Sequence, residues 1–280
     1  MPLDLAPSPL PDGTVRGVAD IGFRHRDGET CLDTLYHASP YRVLFPRPEP
    51  GEPPTAAITT ISGGVVGGDR LDIRIRVGEG ARALVTTQAA EKTYRSAGPA
   101  AWMENELTVE SGGILEWMPQ ETILFDGSRL RRVTRIHASE SARILACEIL
   151  VFGRIAGGEK LRTGLIRDIW DIHRDGRRLW HDPLHMDGDL AAILDHPAGF
   201  AGARAAATLV WIGESRLELA RELLAGCPVR CGATEIDGLL VTRWLGTDAL
   251  ALRNALSGFW AAFRARVLDA PARVPRLWTM

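Results

Sequence analysis

The stretch "ISGGVVGGD" (61–69) joins two glycine pairs to an acid between a threonine-rich apolar run and a strand pattern. A phosphate-binding P-loop needs G-x-x-x-x-G-K-[ST], and a dinucleotide fingerprint needs G-x-G-x-x-G opening a helix; the stretch matches neither. No helix N-terminus follows Asp69 to receive an anion. The spacing therefore predicts a tight corner at Gly63, Gly64, Gly67 and Gly68. Two interpretations of Asp69 stay open: a cap for backbone N–H groups of the turn, and a carboxylate beside the route of a small cation.

Two further stretches place polar side chains where an apolar strand ends. "TTQAAEKTYRS" (86–96) and "WMPQETILFDGSRL" (117–130) share this arrangement. Their polar residues are Thr86, Thr87, Gln88, Lys92, Tyr94, Arg95, Gln120, Glu121 and Asp126. A solvated loop and a functional surface are both compatible with this pattern. Because side chains alternate across a strand, Thr87 is predicted to face away from Thr86 and Gln88.

Two carboxylates stand inside apolar runs, Glu116 in "ILEWM" and Glu148 in "ILACEILVF". An unpaired charge in such surroundings is costly, so each is predicted either to pair with an arginine or to line an internal polar channel. Weak oxygen ligands along a channel let a divalent ion enter and leave. A rival interpretation is a β-solenoid carbohydrate-active enzyme that uses paired carboxylates such as Glu116, Glu121 and Asp126 as acid and base.

The sequence lacks the patterns typical of hydrolases, of closed metal sites and of nucleic-acid binding. G-x-S-x-G and H-E-x-x-H are absent, and no catalytic residue is predicted. The ligand-type pairs His181/His185 and Cys227/Cys231 each lack a second pair, and Pro183 disfavours a helix at the histidines. A net charge of −2 with no extended basic face speaks against nucleic-acid binding.

The chain carries no predicted membrane span and no secretory leader, since no apolar run is long enough and the N-terminus lacks a basic region before an apolar one. Its four cysteines are unevenly spaced, unlike a disulfide framework. A cytoplasmic location is therefore expected.

The elements that must position these residues are mostly strands. "LDIRIRV" (71–77) alternates strictly, whereas "ARALVTT" and "RILACEILVF" are apolar on both faces and are expected between two layers. A small-residue turn followed by a β-rich run recurs about every 30 residues, starting at Val77, Val109 and Ala138. Helices are predicted at 214–226 and at 247–268, the second capped by Thr247. The fold class expected is mainly β, a layered, β-helix-like stack of strands with two α-helices in the C-terminal third, in a single domain over 1–280 whose residues 1–12 are disordered.

Five motifs in order resemble the UreD (UreH) family of urease accessory proteins. They are "SGGVVGGD", "TTQAAEKTYRS", "EWMPQETILFDG", "FGRIAGGE" with Arg154 and Glu159, and the terminal "PRLWTM". Each is weak alone, but the set is specific and runs from about residue 56 to the C-terminus. The stretch 181–205 and the final Met280 depart from the family pattern.

The resemblance implies a scaffold rather than an enzyme. Family members bind the urease apoprotein together with UreF and the GTPase UreG, and help deliver nickel through an internal passage. Nickel would be in transit, with no tightly bound cofactor. The passage residues expected on this basis are Asp69, Thr86, Thr87, Glu116, Glu121, Asp126 and Glu148. The residues expected to bind UreF, as exposed anchors on the last helix and tail, are Phe259, Trp260, Arg276, Leu277 and Trp278. The alternative is that the tail packs against its own sheet.

Overall fold

The computed structural model describes residues 15–279, so the expected disorder of residues 1–12 lies outside the described residues. The fold is mainly β, with 52% of residues in strands and 14% in helices. The strands are, in chain order, β1 (Arg16–Arg26), β2 (Glu29–Ala38), β3 (Tyr41–Leu44), β4 (Thr55–Thr60), β5 (Arg70–Val77), β6 (Arg82–Thr87), β7 (Glu91–Thr93), β8 (Ala101–Val109), β9 (Ile114–Met118), β10 (Thr122–Leu124), β11 (Arg129–Ala138), β12 (Arg143–Phe152), β13 (Thr163–Arg174), β14 (Arg177–Asp189), β15 (Ala205–Ile212), β16 (Arg230–Ile236) and β17 (Leu239–Gly246). The helices are α1 (Leu190–Asp195), α2 (Leu217–Leu224) and α3 (Ala249–Val267), with short 3-10 turns at Ile155–Gly157 and Arg276–Trp278.

The strands form two sheets. The outer sheet has seven strands in the order β14-β13-β11-β8-β5-β1-β2. The central sheet has ten, in the order β16-β17-β15-β12-β9-β6-β4-β3, with the short strands β7 and β10 pairing beside β12. Because the chain passes repeatedly from one sheet to the other, neighbouring strands within the middle of each sheet are parallel. The path is a β-solenoid of about four turns, which confirms the predicted layered stack.

The sequence echo corresponds to the coil repeat. Val77 pairs with Val109, and Val109 pairs with Ala138, so the three turn starts lie side by side in the outer sheet. Each coil therefore enters the central sheet at an equivalent point, and Arg82, Ile114 and Arg143 are in register there. A repeat of this length stacks because each coil buries its apolar face on the next.

Two hydrophobic cores separate three layers. One core lies between the sheets and includes Ala83 and Val85 of β6. The other lies between the central sheet and helices α2 and α3 and includes Leu84 of the same strand. A central strand flanked by apolar layers on both faces must be apolar throughout, which explains the continuous apolar runs of β6 and β12.

The helices differ from prediction in detail. Both expected C-terminal helices are present as α2 and α3, and the short helix α1 is an additional one. The cap of α3 is Asp248 rather than Thr247, because the Asp248 carboxylate accepts a hydrogen bond of 3.0 Å from the backbone N–H of Ala251. Helix α2 begins at Leu217 without a side-chain cap.

Arg264 of α3 attaches the helix layer to the central sheet. Its guanidinium Nε lies 2.6 Å from Oε2 of Glu116 on β9, and Nη2 lies 2.7 Å from Oε2 of Glu52 in the loop between β3 and β4. Arg264 and Glu116 are both fully buried. Of the two interpretations of Glu116, the ion pair with an arginine is the one observed.

Replacing Arg264 by alanine should lower the free energy of unfolding by about 3–5 kcal/mol, because Glu116 would stay buried without its main partner. Urea unfolding followed by circular dichroism measures this loss. Arg266→Ala removes an exposed arginine of the same helix and should change stability by no more than about 0.5 kcal/mol. Equal losses in the two variants would show that the buried pair contributes nothing specific.

Candidate functional site

A cavity of about 230 Å³ enters between the two sheets. Its walls come from β5, β8 and β11 of the outer sheet and from β4, β6 and β9 of the central sheet. Several polar side chains reach it from different coils: Tyr41, Thr60, Thr87, Glu91, Asn105, Gln120, Thr122 and Arg132. Polar groups in this number are unusual between two sheets, where apolar side chains otherwise fill the core.

Arg132 closes the inner end of the cavity. Its Nε donates to Oδ1 of Asp168 at 2.9 Å, and its Nη2 donates to the second oxygen of that carboxylate and to Oε2 of Glu148 at 2.8 Å. Nη1 donates to the Thr122 hydroxyl at 3.0 Å, and the Trp170 indole donates to Glu148 at 2.6 Å. One guanidinium thereby links β11 and β13 of the outer sheet to β12 and β10 of the central sheet.

The two carboxylates share one positive charge. Burial, and then the charge of Asp168, raise the pKa of Glu148 from its ordinary value of 4.5 to about 8, although Arg132 acts in the opposite direction. Asp168 accepts from the guanidinium through both of its oxygens, whereas Glu148 accepts from it through one. The cluster can therefore hold or release one proton near neutral pH.

The mouth of the cavity is formed by the glycine corner and β7. Gly63, Gly64 and Lys92 line it together with Glu91, whose carboxylate accepts a hydrogen bond of 2.6 Å from the Thr60 hydroxyl. Burial raises the pKa of Glu91 above its ordinary value. Gly64 has a φ of +147°, and a Cβ there would lie 2.6 Å from the Lys92 carbonyl oxygen. A side chain at position 64 would thus collide with the rim.

Motif residues hold this corner in shape. The Tyr94 hydroxyl donates to the Gly63 carbonyl at 2.8 Å. The Asp69 carboxylate accepts a hydrogen bond of 3.0 Å from the Val66 backbone N–H, and burial raises the pKa of Asp69. The turn cap is therefore the interpretation of Asp69 that the structure supports, and Asp69 does not line the cavity. The second glycine pair also packs closely, since a Cβ on Gly67 would lie 2.4 Å from the Pro99 carbonyl.

Thr86 and Thr87 point in opposite directions, as predicted. Thr87 lines the cavity, and its hydroxyl accepts a hydrogen bond of 2.8 Å from the Gln120 backbone N–H. The Gln120 amide donates in turn to the carbonyl of Gln88 at 2.8 Å. Thr86 faces the helix layer, where its hydroxyl lies 2.6 Å from the Met118 carbonyl.

A second polar cluster lies beside β10 and is structural. The Asp126 carboxylate accepts hydrogen bonds from the backbone N–H groups of Arg162 and Thr163 at 2.9 and 3.0 Å, and it pairs with Arg95 at 3.0 Å. Although burial acts against it, these hydrogen bonds lower the pKa of Asp126. Glu159 accepts from the Asp126 backbone N–H at 2.7 Å. Its other oxygen pairs at 3.4 Å with Arg154, whose guanidinium lies 5.2 Å from the Phe125 ring centroid.

The C-terminal tail packs on its own chain, so the expectation of exposed anchors is wrong at three positions. Phe259, Trp260 and Trp278 are 5%, 1% and 6% exposed, because α3 and the tail supply the second hydrophobic core. The Trp278 indole donates at 3.2 Å to the Thr86 hydroxyl. Arg276 is exposed and Leu277 is half-buried, which leaves these two available at the surface.

The structure does not bring the seven expected passage residues together. Thr87 lines the cavity, and Glu148 reaches its wall through Arg132. The other five lie at the glycine turn, under the helix layer or beside β10: Asp69, Thr86, Glu116, Glu121 and Asp126. Glu121 pairs with Arg253 of α3 at 3.0 Å.

The cavity contains polar residues that the sequence interpretation missed. Tyr41, Glu91, Asn105, Thr122 and Arg132 were not predicted. Two of them carried a usable signal, because Asn105 and Arg132 stand in the apolar phase of the alternating strands β8 and β11. A polar residue in the inward phase of a strand indicates either a buried pair or a polar cavity.

The ligand types give a limited chemical repertoire. Among residues 15–279 no group of three or more histidine, cysteine, aspartate or glutamate side chains is arranged to hold a metal ion. Glu116, Glu121 and Asp126 each bind a different arginine or backbone segment, so they do not form the paired acids of the carbohydrate-active alternative.

The four cysteines are free thiols. Within the described part of the chain, no helix has the length and apolarity needed to cross a membrane.

Comparison with known proteins assigns the family. A model described as UreD urease accessory protein matches residues 15–279. A protein of Magnetococcus marinus named urease accessory protein UreD is 46% identical over 276 residues, which covers 96% of this chain and 95% of the relative. Relatives of the same name from Azorhizobium caulinodans and Granulibacter bethesdensis are 37% and 40% identical, covering 94% and 84% of this chain and 96% and 99% of their own.

The chain belongs to the UreD family. The resemblance inferred from the five motifs is thereby confirmed. In this UreD chain the motifs meet in space, since the glycine corner, the segment 86–96 and the segment 117–130 surround the cavity mouth. The terminal motif joins them, because the Gln120 amide donates to the Leu277 carbonyl at 3.0 Å.

Glu148→Gln should reveal the raised pKa through the pH dependence of stability. A carboxyl whose pKa is higher in the folded state stabilises the fold below its unfolded value of about 4.5 and loses that contribution as the pH rises to about 8. The stability advantage of the wild type over Glu148→Gln should therefore shrink between pH 5 and pH 8. Urea unfolding at several pH values measures it.

Glu79→Gln alters an exposed glutamate remote from the cavity and is the matched control. If the wild type instead gained stability over Glu148→Gln as the pH rose, Arg132 would dominate and the pKa of Glu148 would be depressed.

Proposed function

We propose that this protein is a non-enzymatic urease maturation factor that binds the urease apoprotein together with UreF and UreG and conducts nickel toward the urease active site. Membership of the UreD family supports the role in urease maturation. The observation that carries the finer proposal is the polar cavity between the sheets, which opens at the corner where the family motifs meet.

The donors of the cavity suit an ion in transit. Glu91 and Thr60 offer a carboxylate and a hydroxyl at the mouth, and Thr87 and Gln120 offer oxygen atoms further along the wall. Hydroxyl, amide and single carboxylate oxygens bind a borderline divalent ion such as nickel weakly, so the ion can leave each position again. A closed thiolate and imidazole site would retain it.

The arginine at the inner end does not oppose a cation. Asp168 and Glu148 offset the charge of Arg132, which leaves the cluster neutral when Glu148 is protonated and negative when it is ionised. Loss of the Glu148 proton would make the wall more attractive to a divalent ion. Proton release and nickel entry are therefore coupled in this proposal.

The proposed contacts with UreF are the surface residues of the tail, Arg276 and Leu277. The residues that follow them, Trp278 and Thr279, line a groove of about 590 Å³ together with Ile155 and the start of α3. The groove also contains Leu250, which is 65% exposed. Arginine is one of the residue types enriched at interface hot spots, which favours exposed Arg276 as the main contact.

Thr87→Trp should block the cavity, because its side chain points into it. The variant should remain folded and should still purify with urease and UreF, while the urease formed in those cells should contain less than about one tenth of the normal nickel. Nickel per urease and complex yield are measured in the same preparation. Thr87→Ser keeps the hydroxyl and serves as the matched control, with normal nickel.

A variant carrying both Arg276→Ala and Leu277→Ala should lose UreF from the complex, whereas Thr87→Trp should retain it.

For Thr87→Trp, a normal complex yield together with a normal nickel content of urease would rule out the passage at Thr87. Equal declines in complex yield and nickel would indicate simple overpacking, which costs about 1–3 kcal/mol.

A further inference from the structure

A row of basic and aromatic side chains crosses the outer sheet on the face turned away from the central sheet. In register across six strands, each residue pairs with the next: Arg16, Arg70, Trp102, Arg131, Arg167 and His185. Neighbouring strands lie about 4.8 Å apart, so the row extends over roughly 24 Å. We call it the arginine row.

Another row on the same face, four residues further along each strand, is built differently. Asp20, Arg74, Glu106, Arg135 and Asp171 are in register on successive strands, so that the charge alternates in sign. Opposite charges placed directly across from each other stabilise a sheet, and like charges destabilise it. The outer sheet thus neutralises its own charges in this row and leaves them unbalanced in the arginine row.

The imbalance is centred on Arg131 and Arg167. Arg16 and Arg70 both pair with Asp72, at 3.6 and 3.3 Å. Arg131 and Arg167 face each other on β11 and β13, and neither forms an ion pair with a carboxylate of residues 15–279. Two adjacent guanidinium groups without a carboxylate form a site that an external anion would complete.

The surroundings of this pair also lack hydrogen-bond acceptors. The Nη2 of Arg167, the Nε of neighbouring Arg129 and the indole Nε1 of Trp102 are buried atoms for which the described residues provide no hydrogen-bond partner. These atoms are shielded from solvent, so a bound protein segment would contact the half-buried remainder of the Arg131 and Arg167 side chains, and the half-buried Trp102 indole would add apolar contact.

A protein segment fits the site better than a nucleic acid. The basic region is short, and Asp72 and Glu104 lie next to it and would repel a phosphate backbone. The whole chain has a net charge of −2, without the extended basic stripe that polyanion binding requires. Arginine and tryptophan together are the residue types most enriched at protein interface hot spots.

We propose that Arg131, Arg167 and Trp102 form the docking site for an acidic segment of the urease apoprotein. This inference rests on the proposed function and names the surface that contacts the client protein. The position of the arginine row on the outer sheet supports this docking site. The central sheet separates the row from the helix layer and tail proposed to bind UreF. The two partners would thus bind on opposite faces, with the cavity between them.

The test measures binding of purified urease apoprotein to a variant carrying both Arg131→Gln and Arg167→Gln. Binding should weaken about tenfold or more and depend less on salt, because two charge contacts are lost. Arg177→Gln with Arg266→Gln removes the same charge from other exposed positions and should bind within twofold of the wild type. Circular dichroism should match the wild type, and the unfolding midpoint should be no lower, since the substitutions relieve like-charge repulsion.

Wild-type affinity in the Arg131/Arg167 variant would overturn the docking site while leaving the proposed function intact. Failure of the wild type itself to bind the apoprotein would overturn the proposed function, and the docking site with it. A DNA duplex of about 20 base pairs is the second probe. If it bound the wild type but not the variant, while apoprotein binding was unchanged, the row would be a nucleic-acid site and the inference would be wrong.

Discussion

The hydrogen bonds of the Arg132 guanidinium are the interaction on which the interior of this protein depends. It binds Asp168, Glu148 and Thr122, and so joins strands of both sheets through hydrogen bonds where apolar packing would otherwise be expected. A buried ionic cluster is costly unless every member is satisfied, and here one cation is held by two acids and a hydroxyl. The region next to it is consequently polar, and the cavity lies there rather than in the apolar part of the core.

The coil repeat explains why the family motifs meet at this cavity. Each coil returns to the same position in both sheets, so residues about 30 apart in sequence become lateral neighbours. Thr60 and Glu91 are joined in this way, as are Tyr94 and Gly63, and Gln120 and Thr87. Repetition converts separate short motifs into one rim, and the positive φ at Gly64 lets the backbone approach closely where two coils meet.

Local patterns in the sequence predicted much of this arrangement. The alternation of β5, the two-sided apolar character of β6 and β12 and the coil repeat all follow from spacing. For Glu116 and Glu148 the cost of burial left two outcomes open, an ion pair and a channel lining, and the structure shows the ion pairs. Contacts between distant segments could not be predicted from these local patterns. The Trp278 indole reaches Thr86 across most of the chain, so a tail that reads as a free end is buried. Arg132 was missed because a run of arginines in β11 hides the one that points inward.

Under the proposed function the layers have separate tasks, with helices and tail on one side, a charged sheet face on the other and a polar cavity between the sheets. The central claim is that nickel enters this cavity. Crystals soaked in nickel and measured at the nickel absorption edge test it most directly through the anomalous difference density. A peak between Glu91, Thr60 and Thr87 is the predicted result. Peaks confined to surface histidines such as His25 and His185, with none inside the cavity, would contradict it.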